Sequence, residues 1–179
     1  MNRARAAARA IDYLDTNIAM TKALASKPAA PTMTVDYPQR LITVIAVPYD
    51  QPADVIFRGQ MWRELFVRGA FAHVEAAGIR VNRDHDKSRT VGKVTKLDPA
   101  DHRGLIATIK VARTTLGDET LALADEDLLS ASLGFTVPAG GQQLRGRIRT
   151  ITRASIDHIA LVEAAAYEGA KVLEVRIRE

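Results

Sequence analysis

The 179 residues contain no cysteine, which excludes a disulfide framework, a thiolate metal site and a cysteine nucleophile, and fits a reducing compartment. Aromatic residues are scarce at 5%, so a core must be mainly Leu, Ile, Val and Ala, and a platform for stacking bases lacks its rings. No apolar run approaches the roughly 18 residues of a membrane span, and no membrane partner is expected. The opening MNRARAAARAIDYLD is basic but lacks the apolar stretch of a secretory signal, so no export is expected either. No H-E-x-x-H or similar ligand spacing occurs, which removes the usual signature of a metal hydrolase.

What is present suits one soluble domain with an appendage: 47% apolar and 26% charged residues, and a net charge of +4. The positive surplus is concentrated early. Arg3, Arg5, Arg9, Lys22 and Lys27 face only Asp12 and Asp15, in an Ala-rich stretch with Ile11, Leu14 and Ile18 at helical spacing. Pro28, Pro31 and Pro38 then interrupt any helix. The expected organisation is a basic N-terminal helix and Pro-rich linker over residues 1–37, followed by a domain over residues 38–179.

The domain reads as strand-rich. Residues 41–47 form a β-branched apolar run ended by Pro48. Residues 70–77 suggest a short helix stopped by Gly78, residues 79–82 a strand, and residues 83–89 a charged turn. Residues 91–97 and 105–112 pattern as a hairpin around Asp98-Pro99-Ala100-Asp101. Thr115-Leu116-Gly117-Asp118 has capping-box spacing, with Leu116, Thr120, Leu121, Ala124 and Leu128 on one helical face. Further strands are expected over residues 131–137, 144–151, 156–162 and 171–178. In the second of these Arg145, Arg147 and Arg149 share a face. Seven or more short strands with a few helices indicate a closed or nearly closed β-barrel.

Without cysteine, serine is a natural nucleophile and histidine its natural base. His73, on the expected short helix, and His102, in a turn, read as surface residues. His85 lies in the polar run Asn82-Arg83-Asp84-His85-Asp86-Lys87, between carboxylates. His158 sits in an otherwise apolar strand, where alternation groups it with Ile156, Ala160 and Val162 and needs it to find a hydrogen-bond partner. Ser130 and Ser132 share one face of the strand Leu128-Leu129-Ser130-Ala131-Ser132-Leu133-Gly134-Phe135. A serine nucleophile needs a base within reach and a third group to orient that base. Spacing alone does not bring His85, Ser132 and His158 together.

Four stretches taken together resemble the caudovirus prohead maturation proteases, distant relatives of the herpesvirus assemblins. They are Glu64-Leu65-Phe66-Val67-Arg68-Gly69-Ala70-Phe71; His85-Asp86 with Val91-Gly92-Lys93-Val94; Gly104-Leu105 with Ser132-Leu133-Gly134-Phe135; and His158-Ile159-Ala160-Leu161-Val162 with Ala166-Tyr167. The likeness runs from about residue 41 to residue 175. It implies an α+β, strand-rich fold, an assemblin-like barrel flanked by a few helices. It also implies a serine endopeptidase with Ser132 as nucleophile, His85 as general base and Ser130 as the weaker alternative. The third position holds His158 where many relatives place an acid, as in the assemblins' Ser-His-His arrangement. Asp157 is expected on the opposite face and reads as a poor substitute.

The resemblance names the major capsid protein or scaffolding protein as substrate, digested inside the procapsid in the host cytoplasm, with a homodimer as the expected self-association. No cofactor or metal is expected, and nucleic acid is not required. The arm is read as a shell-binding segment. Two other readings fit the residues: a catalytically inactive shell factor, and a non-enzymatic basic domain that contacts acidic partners or nucleic acid through Arg145, Arg147, Arg149 and Arg153.

Overall fold

The computed structural model describes residues 39–176. The basic N-terminal helix and Pro-rich linker expected over residues 1–37 lie outside the described residues.

The apolar run at the start of the domain forms β1 (Leu41–Pro48), buried along most of its length because strands cover both of its edges. A hairpin of β2 (Ala53–Phe57) and β3 (Gln60–Phe66) follows, then β4 (Arg80–Arg83), β5 (Asp86–Asp98) and β6 (Gly104–Val111). After the helix α1 (Thr115–Asp125) come β7 (Ser130–Thr136), β8 (Gln142–Arg145), β9 (Ile148–Ile151), β10 (Ser155–Val162) and β11 (Val172–Arg176). Seven strands make one sheet in the order β11-β1-β6-β5-β4-β10-β7, and four make a second in the order β2-β3-β9-β8. The large sheet curls into a half-barrel. At one end an antiparallel bridge joins Ser130, which opens the edge strand β7, to Lys171, just before the other edge strand β11. The strand-rich expectation therefore holds, with one helix among the described residues.

Several local expectations are corrected. Residues 70–77 are not a helix: Ala70, Ala72 and Val74 donate to the carbonyls of Val67, Gly69 and Phe71, a chain of four-residue turns. Gly69 enters it at φ 91°, and the turns deliver Phe71 to the core. The helix cap is Thr114 rather than Thr115, its hydroxyl accepting from the Gly117 amide at 3.0 Å. The helix stops at Asp125, so Leu128 lies beyond it and is exposed. Residues 144–151 are not one strand but a hairpin, with Arg145 opposite Ile148 across Gly146 at φ 60°. The reversal separates the arginines: Arg145 shares a face with exposed Ile148, whereas Arg149 is opposite Leu144 and is buried.

The core is chiefly aliphatic, with Ile42, Val44, Leu105, Ile109, Ile159 and Leu161 fully enclosed. Its few aromatics concentrate where the two sheets meet. The Phe66 ring of the small sheet lies 4.8 Å from Phe135 of β7, 5.3 Å from Phe71 and 5.7 Å from Tyr167. Beside these rings is a buried polar cluster. Glu64 Oε2 accepts from Arg149 Nη1 at 2.5 Å, and Glu64 Oε1 accepts from the Tyr167 hydroxyl at 2.6 Å. Arg149 Nε donates to Gln142 Oε1 at 2.6 Å, and the guanidinium covers the Phe57 ring at 3.9 Å. Burial raises the Glu64 carboxyl above its ordinary value, opposed by Arg149 and the Tyr167 hydroxyl. Glu64 and Tyr167, which mark the first and last stretches of the family resemblance, are thus structural partners.

Candidate active site

The strands β4, β10 and β7 are neighbours in that order. Ser132 in the middle of β7 is opposite Ala160 of β10, and His158 is opposite Gly134. Cross-strand partners share a face. Ser132 and His158 therefore point to the same side of the sheet, away from the core side chains of Leu133, Ile159 and Val81.

His85 arrives from the next strand over. Arg83 pairs with Asp86, which leaves Asp84 and His85 as a two-residue hairpin turn with φ of 55° and 60°. Such turns favour Asn-Gly, since a side chain in the left-handed region costs about 1–2 kcal/mol. Neither residue here is glycine. The turn is held by the Asp84 amide donating to the Leu161 carbonyl at 3.2 Å and by Arg89 Nη1 on the Asp84 carboxylate at 2.8 Å. The charged turn expected over residues 83–89 is thus only two residues long, and β5 begins at Asp86.

This turn swings His85 back over β10. Its Nε2 is 2.8 Å from Ser132 Oγ, and its Nδ1 is 2.8 Å from His158 Nε2. The two imidazoles are nearly perpendicular, at 78°. His85 meets Ser132 and not Ser130, which opens the strand beside Lys171. His73 and His102 are both exposed, as expected, and lie outside the constellation.

Asp157 departs from expectation. The pairing of β10 with β7 slips between Ile156, opposite Phe135, and His158, opposite Gly134, so Asp157 is the unopposed residue of a bulge. The bulge moves Ile156 to the core face and lets Asp157 reach its neighbour: Oδ2 is 3.1 Å from His158 Nδ1. Lys87 Nζ, from β5, contacts the same oxygen at 3.1 Å. Period-2 alternation carries no signal for this. A charged residue beside a buried histidine is the one hint the sequence offers.

Gly134 is also part of the site. A Cβ built there would lie 2.3 Å from Cε1 of the His158 ring, so the imidazole rests directly on the strand backbone. A Gly134→Ala variant is expected to keep its fold and lose at least about 10²-fold in catalytic rate, because a displaced His158 no longer orients His85. Peptide turnover alongside circular dichroism checks this, and a fully active variant would contradict it.

Burial pulls the His85 pKa down from 6.5 to about 4, repulsion from His158 adds to the effect, and Asp84 opposes it. His85 is then a neutral acceptor at physiological pH, as a general base must be. The unfolded chain takes this proton first as pH falls, so the associated stability is present above 6.5 and is lost between 6.5 and about 4.

A hydroxyl, an imidazole that reaches it and a second group that orients the imidazole form the arrangement that activates a serine for acyl transfer. No curated protein matches the chain with significant similarity. The family model of the caudovirus prohead serine proteases matches residues 32–179, which include every residue of this constellation. The chain belongs to the caudovirus prohead serine protease family, whose members act as proteases in capsid maturation.

Proposed function

We propose that the chain is a serine endopeptidase with a Ser132-His85-His158 triad, acting on scaffolding protein or the N-terminal segment of the major capsid protein inside the procapsid. The observation that carries this reading is the continuous set of contacts from Ser132 Oγ through both rings to Asp157, at 2.8, 2.8 and 3.1 Å.

The contacts are consistent with one assignment of protons. His85 Nε2 accepts from the Ser132 hydroxyl, so its Nδ1–H donates to His158 Nε2. His158 then carries its proton on Nδ1 and donates to Asp157, which Lys87 steadies. As Ser132 Oγ attacks the scissile carbonyl, its proton passes to His85 Nε2. The carbon–nitrogen bond breaks, the same proton leaves with the amine, and an acyl-enzyme remains. Water, deprotonated by His85, hydrolyses it. An imidazole at this position stabilises the transient imidazolium less than a carboxylate would, and Asp157 behind it restores part of the deficit.

The test is covalent labelling of the full chain by a peptidyl phosphonate, followed by intact mass. One adduct is expected in the wild type and none in Ser132→Ala. The labelling rate should be flat at neutral pH and half-maximal near pH 4, where His85 becomes protonated. An adduct that persists in Ser132→Ala moves the nucleophile elsewhere. The absence of any adduct favours the inactive shell factor.

A further inference from the structure

The face that carries His158 continues outward as a row of cations. His158 is beside Arg80 of β4, Arg80 is opposite Lys93 of β5, and Lys93 is opposite Lys110 of β6, with no register slip at these pairs. All three basic side chains are exposed and line one cavity of about 560 Å³, together with Arg113. Its floor is apolar, with Ile79 and Val111 both buried.

Like charges directly opposite each other across strands are destabilising, so an uncompensated ladder opposes folding. Among the described residues no carboxylate forms an ion pair with Arg80, Lys93, Lys110 or Arg113. Lys110 Nζ instead donates to the carbonyl of Gln39. The described residues thus leave this row of cations without a carboxylate partner. The groove has no aromatic lining on which bases could stack, and its row of cations begins on β4, the strand beside that of His158. An extended peptide fits both facts better than a nucleic acid.

We infer that the Arg80-Lys93-Lys110 groove binds an acidic stretch of the polypeptide substrate and feeds the scissile bond to Ser132. This rests on the triad reading above. Strand spacing sets the reach: Arg80 is two strands and Lys110 four strands from β7, roughly 10 and 19 Å, and an extended chain advances about 3.4 Å per residue. The acidic residues should therefore lie about three to six positions from the cleaved bond.

The experiment uses the full-length Ser132→Ala chain and a fluorescein-labelled hexaglutamate peptide, read by anisotropy over a salt series. A Gly-Ser peptide of equal length and a single-stranded oligonucleotide of equal charge serve as comparisons. Hexaglutamate should bind in a salt-dependent way, and adding Arg80→Glu with Lys93→Glu should weaken it about tenfold or more. Arg80→Gln with Lys93→Gln should weaken it several-fold, which guards against a folding artefact of charge reversal. Arg145→Glu, on exposed β8, should leave binding unchanged. Unchanged affinity in both groove variants would overturn the inference, as would an equal loss in Arg145→Glu. An oligonucleotide that binds more tightly than the peptide through the same residues would do so too. Phosphonate labelling of the wild type decides the triad separately, since anisotropy needs no catalysis.

Discussion

Replacing His85 by alanine is expected to slow peptide cleavage on the order of 10⁶-fold, and replacing His158 on the order of 10⁴-fold. The difference follows from their contacts. His85 touches the Ser132 oxygen at 2.8 Å, so without it the hydroxyl has no proton acceptor. His158 touches only the far nitrogen of His85, so its loss leaves the base present but unoriented. In the proposed triad His158 is a positioning residue, and its effect has a second signature. Repulsion from His158 contributes to holding the His85 pKa near 4, so the acid limb of the rate profile in His158→Ala should move up toward 6.5. Lost burial would move that limb the same way, so His158→Gln, which keeps a polar side chain of similar bulk without the charge, separates repulsion from desolvation. Turnover of any peptide the wild type cleaves, measured from pH 3.5 to 8, tests both points. A His158→Ala enzyme with wild-type rate and profile would remove His158 from the mechanism.

The largest stability effect is expected at Glu64. Removing one partner of a buried ion pair leaves the other charge uncompensated and typically costs about 3–5 kcal/mol. Here Glu64 and Arg149 are 1% and 2% exposed, and Arg149 is held by Gln142 and Phe57, so it cannot turn out to water. Glu64→Ala would also strand the Tyr167 hydroxyl. The urea midpoint should fall accordingly, with a melting temperature lower by on the order of 10 °C. Glu64→Gln retains an acceptor and should cost less. A Glu64→Leu/Arg149→Met double variant should recover much of the loss, because a well-packed apolar pair is often as stable as the ion pair it replaces. A Glu64→Ala protein of wild-type stability would show that the cluster contributes nothing.

Strands and their order of occurrence were legible because burial imposes alternation: residues 41–47 and the hairpin of residues 91–112 read directly as β1, β5 and β6. Where the chain reverses within a pattern, alternation misleads. Arg145, Arg147 and Arg149 look like one face until Gly146 turns the chain, and a G-R pair between two arginines was the available signal. The turns at residues 70–77 resembled a helix because Ala and Glu favour one, but the need to seat Phe71 beside Phe66 prevails. At the site, the family resemblance singled out Ser132, His85 and His158, and the fold brings these three side chains together. Asp157 was missed because a one-residue bulge inverts the face assignment. The role of Gly134 is steric and cannot be seen until the His158 ring is in place.

The position of β10 between β4 and β7 also has a temporal meaning. His85 and His158 are 73 residues apart, and the parallel β4–β10 ladder that brings them together is among the longest loop closures in the chain. Until β10 is made and inserted, the imidazole of residue 85 and the hydroxyl of residue 132 belong to strands that are not neighbours. A nascent chain therefore holds His85 and Ser132 before β10 can join them. On the triad reading, cleavage activity waits until β10 is in place between β4 and β7.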